Sequence, residues 1–169
     1  MSELTDVKGL LLPPVETPTP ETLRAYGDYL FLAMRSPRHQ QMDIATLKGA
    51  VVPPLMADQF KIFRFDGVPR GLFTWARLSP EAERRYVSGA PLLESDWRSG
   101  DHLWIIDLIA PYRGMTASMV RWITVPGNLT KSDFRFRRVK NGRETRRIVH
   151  IDFNRPGALS KIETDADFL

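Results

Sequence analysis

Cysteine is absent from the 169 residues. That excludes a disulfide scaffold, a thiol nucleophile and any thiolate metal site. Histidine is scarce, with three scattered copies, which together with the missing cysteine argues against a metal site. No apolar run approaches the roughly 18 residues of a membrane-spanning helix. The first residues also lack the basic stretch and continuous apolar core of a secretory signal. A soluble cytoplasmic protein is the expectation. No serine sits in a Gly-x-Ser-x-Gly elbow, which leaves a serine hydrolase of that type unsupported. Neither an internal repeat nor an interdomain linker is visible.

What is present describes a folded chain. Hydrophobic residues make up 43% and aromatics 10%, with four tryptophans, enough for a real core. A chain of this length favours one domain that buries about two thirds of its unfolded surface. The net charge is +4, compatible with an acidic partner. It is unevenly spread. Between Lys131 and Arg147, eight basic residues (Lys131, Arg135, Arg137, Arg138, Lys140, Arg143, Arg146, Arg147) face Asp133 and Glu144, a local balance of +6.

Residues 1–18, rich in proline, read as an extended arm, and residues 19–155 as the folded domain. Residues 156–169, with Glu163, Asp165 and Asp167, read as a mobile acidic tail. Within the domain, Thr19 is an N-cap ahead of Pro20. Leu23, Tyr26, Leu30 and Ala33 follow at helical spacing until Ser36-Pro37 stops the helix. Asp43 caps a second helix that runs to about Val51, where Pro53-Pro54 ends it. Residues 60–65 alternate as a strand, 66–69 turn it, and 71–76 return. Ser79-Pro80-Glu81 opens a third helix ending near Ser88-Gly89, and residues 115–123 form a fourth. Residues 134–153 form a hairpin around Asn141-Gly142, a strong turn signal. The expected fold is a single α/β domain with a central, mostly antiparallel sheet flanked by helices.

One acid interrupts an apolar strand. Residues 103–109, between Gly100 and Pro111, read as a buried strand, and Asp107 lies inside it. An unpaired carboxylate there is costly to desolvate. Asp107 therefore needs a partner, a raised pKa or a chemical role.

Four segments then form a pattern: Ser36-Pro37-Arg38-His39; Leu78-Ser79 before a helix; Asp96-Trp97-Arg98-Ser99-Gly100-Asp101; and Ile106-Asp107-Leu108-Ile109-Ala110-Pro111. In this order and spacing they resemble the RTX toxin-activating lysine acyltransferases. The likeness covers residues 26–112, about half of the chain, and extends more loosely to 153. The resemblance implies a GCN5-like acyltransferase fold and no bound cofactor. It implies acyl carrier protein bearing a fatty acyl thioester as donor and lysines of an RTX protoxin as acceptors, with toxin activation as the outcome. It also implies a homodimer, and it places His39 and Asp107 at the catalytic pair.

Ile109-Ala110-Pro111-Tyr112-Arg113-Gly114 further resembles the start of an acetyl-CoA pyrophosphate loop. This makes Arg113 a candidate contact for the donor's phosphopantetheine or for the carrier protein. The later glycines of such a loop, whose amides close on the pyrophosphate, are replaced by Thr116 and Ser118. That argues against free coenzyme A and for a donor arm presented by a carrier.

The residue types suit the chemistry. A lysine amine, with a pKa near 10.4, must lose a proton before it attacks a thioester, and His39 is the natural acceptor. Asp107 would orient the ring and stabilise imidazolium. Alternatively His39 carries the acyl group transiently, and the sequence leaves both open. Ser36 reads as a helix-end cap rather than a nucleophile, and His102 and His150 as structural. Leu108, Met115 and Met119 line either an acyl groove or plain core. The basic hairpin has three readings: a solvated face, a dock for acidic acyl carrier protein, or, least supported, a nucleic-acid surface. Two rival functions stand beside the main one. An acetyl-CoA-dependent N-acetyltransferase is disfavoured by the glycine-poor loop, and a non-catalytic basic binding module by the pairing of His39 with Asp107.

Overall fold

In the computed structural model, residues 5–13, 16–140 and 144–168 are described. Helix α1, Pro20–Ala33, begins as its sequence requires: Thr19 Oγ1 accepts the N–H of Thr22 at 3.2 Å, with Pro20 at the first helical position. Its buried face agrees with the expected one at Ala33 and Tyr26 and differs from it at Leu23 and Leu30. Ala25, Tyr29, Leu32 and Ala33 pack inward, while Leu23 and Leu30 remain 56% and 47% exposed. The helix carries two apolar stripes, and packing on the sheet selects the one containing Tyr29. Helix α2, Ile44–Met56, is capped by Asp43, which accepts the Thr46 N–H at 2.6 Å. It runs through Pro53 and Pro54 instead of stopping there. Proline lacks an N–H but its fixed φ suits a helix, and their carbonyls are satisfied by Ala57 N–H at 2.9 Å and Gln59 N–H at 2.8 Å. Burial of Pro54 and Leu55 holds this last turn in place.

Strands β1 (Phe60–Phe65) and β2 (Val68–Leu78) form a hairpin. Their turn is tighter than expected, with Asp66 and Gly67 both at positive φ (50° and 78°), the geometry of a two-residue primed turn. β2 consequently starts at Val68 rather than near Gly71. Next come α3 (Pro80–Val87), β3 (His102–Ile109) and α4 (Met115–Ile123), then β4 (Asp133–Lys140), β5 (Glu144–Asp152) and β6 (Ser160–Glu163). The turn at 141–142 lies outside the described residues. The six strands form one sheet in chain order, antiparallel except for β3 and β4. That parallel pair meets only at Trp104–Arg135 and Ile105–Phe136. The result is the expected mixed α/β domain.

β6 corrects the expectation of a mobile tail from 156 onward. Residues 160–163 pair with β5, and Glu163, only 6% exposed, accepts from Arg135 Nε at 3.1 Å. No local pattern announces this strand, because its buried residue is an acid and its isoleucine, Ile162, faces outward.

Helices lie on both faces. Leu72 and Ile109 pack beneath α1 and α2, and Ala76, Leu78 and Trp104 beneath α3. On the opposite face Phe73, Ile105, Phe134 and Val149 pack with Met119 and Ile123 of α4. The Asp96–Asp101 segment proves structural. Asp96 accepts the Leu93 N–H at 2.7 Å and pairs with Arg85, while Ser99 Oγ accepts the Ser79 N–H at 2.8 Å, beside the start of α3.

Candidate active site

The turn after α1 builds one half of the site. The carbonyl of Ser36 accepts the N–H groups of His39 and Gln40, both at 3.0 Å. This single turn brings Ser36 Oγ within 2.7 Å of His39 Nδ1. The imidazole is enclosed, its side chain only 1% exposed, and it meets the Tyr29 ring edge-on with centroids 6.4 Å apart.

The other half comes from an irregularity in the sheet. Between β2 and β3, Thr74 lies opposite Asp107 and Trp75 opposite Ile105, so Ile106 is an extra residue. Such a bulge reverses the alternation of side chains beyond it. Trp104 faces α3 on this side of the sheet, and regular alternation would turn Asp107 toward α4. The bulge returns it to the face covered by α1.

Asp107 is 7% exposed and well supplied with donors. Its Oδ2 receives His39 Nε2 at 2.7 Å and the Tyr29 hydroxyl at 2.8 Å. Its Oδ1 receives the Leu108 N–H at 2.9 Å and the Arg38 guanidinium. Burial pushes the carboxyl pKa upward, but hydrogen bonding from His39 and the charge of Arg38, with Tyr29 assisting, hold it below the usual value. Tyr29 is displaced the other way, well above the ordinary phenol, by burial and then by the Asp107 charge. Asp107 is thus a carboxylate and Tyr29 a protonated donor. With Nε2–H committed to the carboxylate, the network leaves Nδ1 as the basic nitrogen, directed at the Ser36 hydroxyl.

The structure therefore joins His39 and Asp107, as the sequence predicts, and adds Ser36, Arg38 and Tyr29. Ser36 was legible in its three-residue spacing from His39, although it reads from sequence as a cap. Tyr29 was not, since it precedes Asp107 by 78 residues and looks like any core aromatic. Arg113 lies exposed just before Gly114, the N-cap of α4, and takes no part in this network. Met119 is fully buried, and Leu108 and Met115 pack around the same cluster under α4. All three belong to the core on the face opposite Asp107. His102 bonds Glu83 at 2.8 Å, and His150 bonds Asp133 at 2.8 Å beside Glu163, consistent with structural roles.

Residues 19–152, which contain every member of this network, match the model of the RTX toxin acyltransferase family. The chain belongs to that family. Among curated relatives, the RTX-II toxin-activating lysine-acyltransferase of Actinobacillus pleuropneumoniae is 38% identical over 87 residues, 51% of this chain and 54% of the relative. A protein-lysine myristoyltransferase of Kingella kingae is 34% identical over 87 residues, 51% of this chain and 52% of its own length. A protein-lysine palmitoyltransferase of Bordetella bronchiseptica is 31% identical over 107 residues, 60% of this chain and 58% of its own. The chain spans about half the length of the curated relatives it matches. In this member of the RTX toxin acyltransferase family both ring nitrogens of the buried His39 are engaged, Nε2 by Asp107 and Nδ1 by Ser36.

Proposed function

We propose that this chain is a protein-lysine fatty acyltransferase that moves an acyl chain from acyl carrier protein to lysine side chains of an RTX protoxin, activating it. The observation that carries the reading is the buried His39, held through Nε2 by Asp107 and hydrogen-bonded through Nδ1 to the Ser36 hydroxyl. Nδ1 removes a proton from the substrate ammonium, directly or through the Ser36 hydroxyl. The amine nitrogen then bonds to the thioester carbonyl carbon, the carbon–sulfur bond breaks, the departing thiolate takes the proton from imidazolium, and the regenerated imidazole takes the second proton from the nitrogen and passes it to solvent, leaving the neutral amide. Asp107 stabilises the imidazolium between these steps. A second form makes His39 the transient acyl carrier, and an acyl-imidazole trapped by rapid quench would distinguish it.

Two features support a carrier-borne donor. Beyond Ile105 and Phe136 the parallel strands stop pairing, which leaves the β3 backbone beside Asp107 without ladder partners on that side. An extended phosphopantetheine arm fits against such an edge. The same divergence carries β4 to the basic hairpin, where Arg138 and Arg147 sit directly opposite each other and are exposed. Facing like charges are unfavourable by themselves and suit an acidic partner. Not all of the hairpin is available, since Arg137 donates to the Tyr86 carbonyl and Arg135 pairs with Glu163. Arg113 remains a candidate contact for the donor.

The deciding experiment is intact-mass detection of transfer to an unacylated, lysine-containing RTX fragment that an authentic family member is able to acylate. Fatty acyl carrier protein is compared with acetyl-CoA, and the chain with its His39→Ala variant. A fatty increment from the carrier alone, lost in the variant, is expected. Acetylation from coenzyme A would move the chain to the N-acetyltransferases, and no transfer from either donor would refute the proposal.

A further inference from the structure

The turn that holds His39 also walls a cleft of about 400 Å³ between α1 and α2, within the roughly 300–1,000 Å³ common for ligand sites. Leu30, Ala33, Met34 and Leu47 form most of its surface, and Gln40 and His39 supply its polar groups. Among the described residues no carboxylate lines it, so away from His39 it favours an apolar occupant over a charged one. Leu30 and Met34 are 47% and 55% exposed, although each is large and apolar. They continue a stripe on α1 that the fold leaves uncovered: Leu23, Gly27, Leu30 and Met34 recur at intervals of four, three and four residues, one helix face. The stripe is about 16 Å long at 1.5 Å per residue. Gly27 lies midway along it, where an added Cβ would meet nothing within 4 Å. Packing therefore does not demand a glycine, and a glycine in a helix interior weakens the helix.

We infer that this cleft and stripe bind the fatty acyl chain of the donor, with the thioester carbonyl at His39 and the methyl end running along α1 past Leu30 toward Gly27 and Leu23. The inference rests on the acyltransferase reading and adds where the chain lies and which residues set its length. Three observations select this occupant: the cleft shares His39 with the reacting centre, its lining is apolar, and the stripe is far longer than an acetyl group needs. Each methylene buried there should tighten binding about fourfold.

The test measures binding of S-acetyl-, S-octanoyl- and S-dodecanoyl-pantetheine by calorimetry, without acceptor. Leu30→Asp, Met34→Asp and Gly27→Trp are compared with the unaltered chain, with Phe65→Asp as a control on the exposed β1 end. The unaltered chain should bind dodecanoyl at least 100-fold more tightly than acetyl. Each aspartate variant should reduce that ratio at least tenfold, Gly27→Trp should weaken dodecanoyl more than octanoyl, and Phe65→Asp should leave the ratio in place. Affinity that ignores chain length would overturn the inference. So would a gradient untouched by the α1 variants, or a Leu30→Asp effect confined to self-association in light scattering. Graded binding without any lysine transfer would instead refute the acyltransferase reading while leaving the chain site standing.

Discussion

Asp107 shows how much one side chain depends on its neighbours. Buried and alone it would be protonated or disruptive; with His39, Arg38, Tyr29 and a backbone amide it is a stable anion. Asp107→Asn keeps the volume but removes the charge that supports imidazolium. Transfer should fall about 10²–10⁴-fold, measured as initial rate by intact mass, with far-UV circular dichroism unchanged. Tyr29→Phe removes one hydrogen bond to the carboxylate and should cost about 1.5–3 kcal/mol in urea denaturation. A stability loss below about 0.5 kcal/mol would show that the phenol is not a significant support. The need for a partner was legible from an acid within an apolar strand, but the identity of Tyr29 was not, because only its hydrogen bond to the distant Asp107 sets it apart from aromatics as deeply buried, such as Phe73 and Trp104.

Elements were legible wherever a local device starts or stops them. Thr19, Asp43 and Ser79 each accept a backbone N–H three residues on, and Met115–Ile123 forms the helix expected from its spacing. Local signals misled where packing decided. Pro53 and Pro54 fail to stop α2, and α1 buries the stripe that the spacing of Leu23 and Leu30 did not indicate. The bulge at Ile106, which aims Asp107, depends on the register between β2 and β3 and has no signature in either strand. Gly100 has a steric rather than conformational reason. A Cβ there would come within 2.6 Å of both the Leu78 carbonyl oxygen and the Ser79 Cα, and these backbone atoms cannot swing aside. Gly100→Ala should lose about 1–3 kcal/mol, read from the denaturation midpoint; an unchanged midpoint would mean that this junction yields.

At the scale of the molecule, charge is distributed in two ways. Two buried acids are held as anions: burial raises the pKa of both, but Arg135 foremost outweighs it at Glu163, and hydrogen bonding from His39 with the charge of Arg38 outweighs it at Asp107, lowering the net value. A depressed folded pKa means that the unfolded chain binds protons first as pH falls. The stability these groups contribute is present above their unfolded values, near 4, and is lost as pH drops through the lower folded values. Thermal melts should therefore show the melting temperature falling below about pH 4, and Glu163→Gln should flatten part of that fall. The exposed hairpin charges act outward. Arg138→Glu with Arg147→Glu should raise KM for acyl carrier protein about tenfold at low salt and less at high salt, whereas equal effects at both would argue against electrostatic docking. By itself the sequence determined the helix starts, the hairpins and the family pattern, because those rest on local hydrogen bonding and spacing, while the pairing of His39 with Asp107 was implied by the resemblance that this pattern carries. Only the tertiary structure decided which stripe of α1 is buried, that Ser160–Glu163 joins the sheet and that Tyr29 reaches Asp107. Those outcomes depend on which surfaces exclude water together, and residues far apart in the chain settle them jointly.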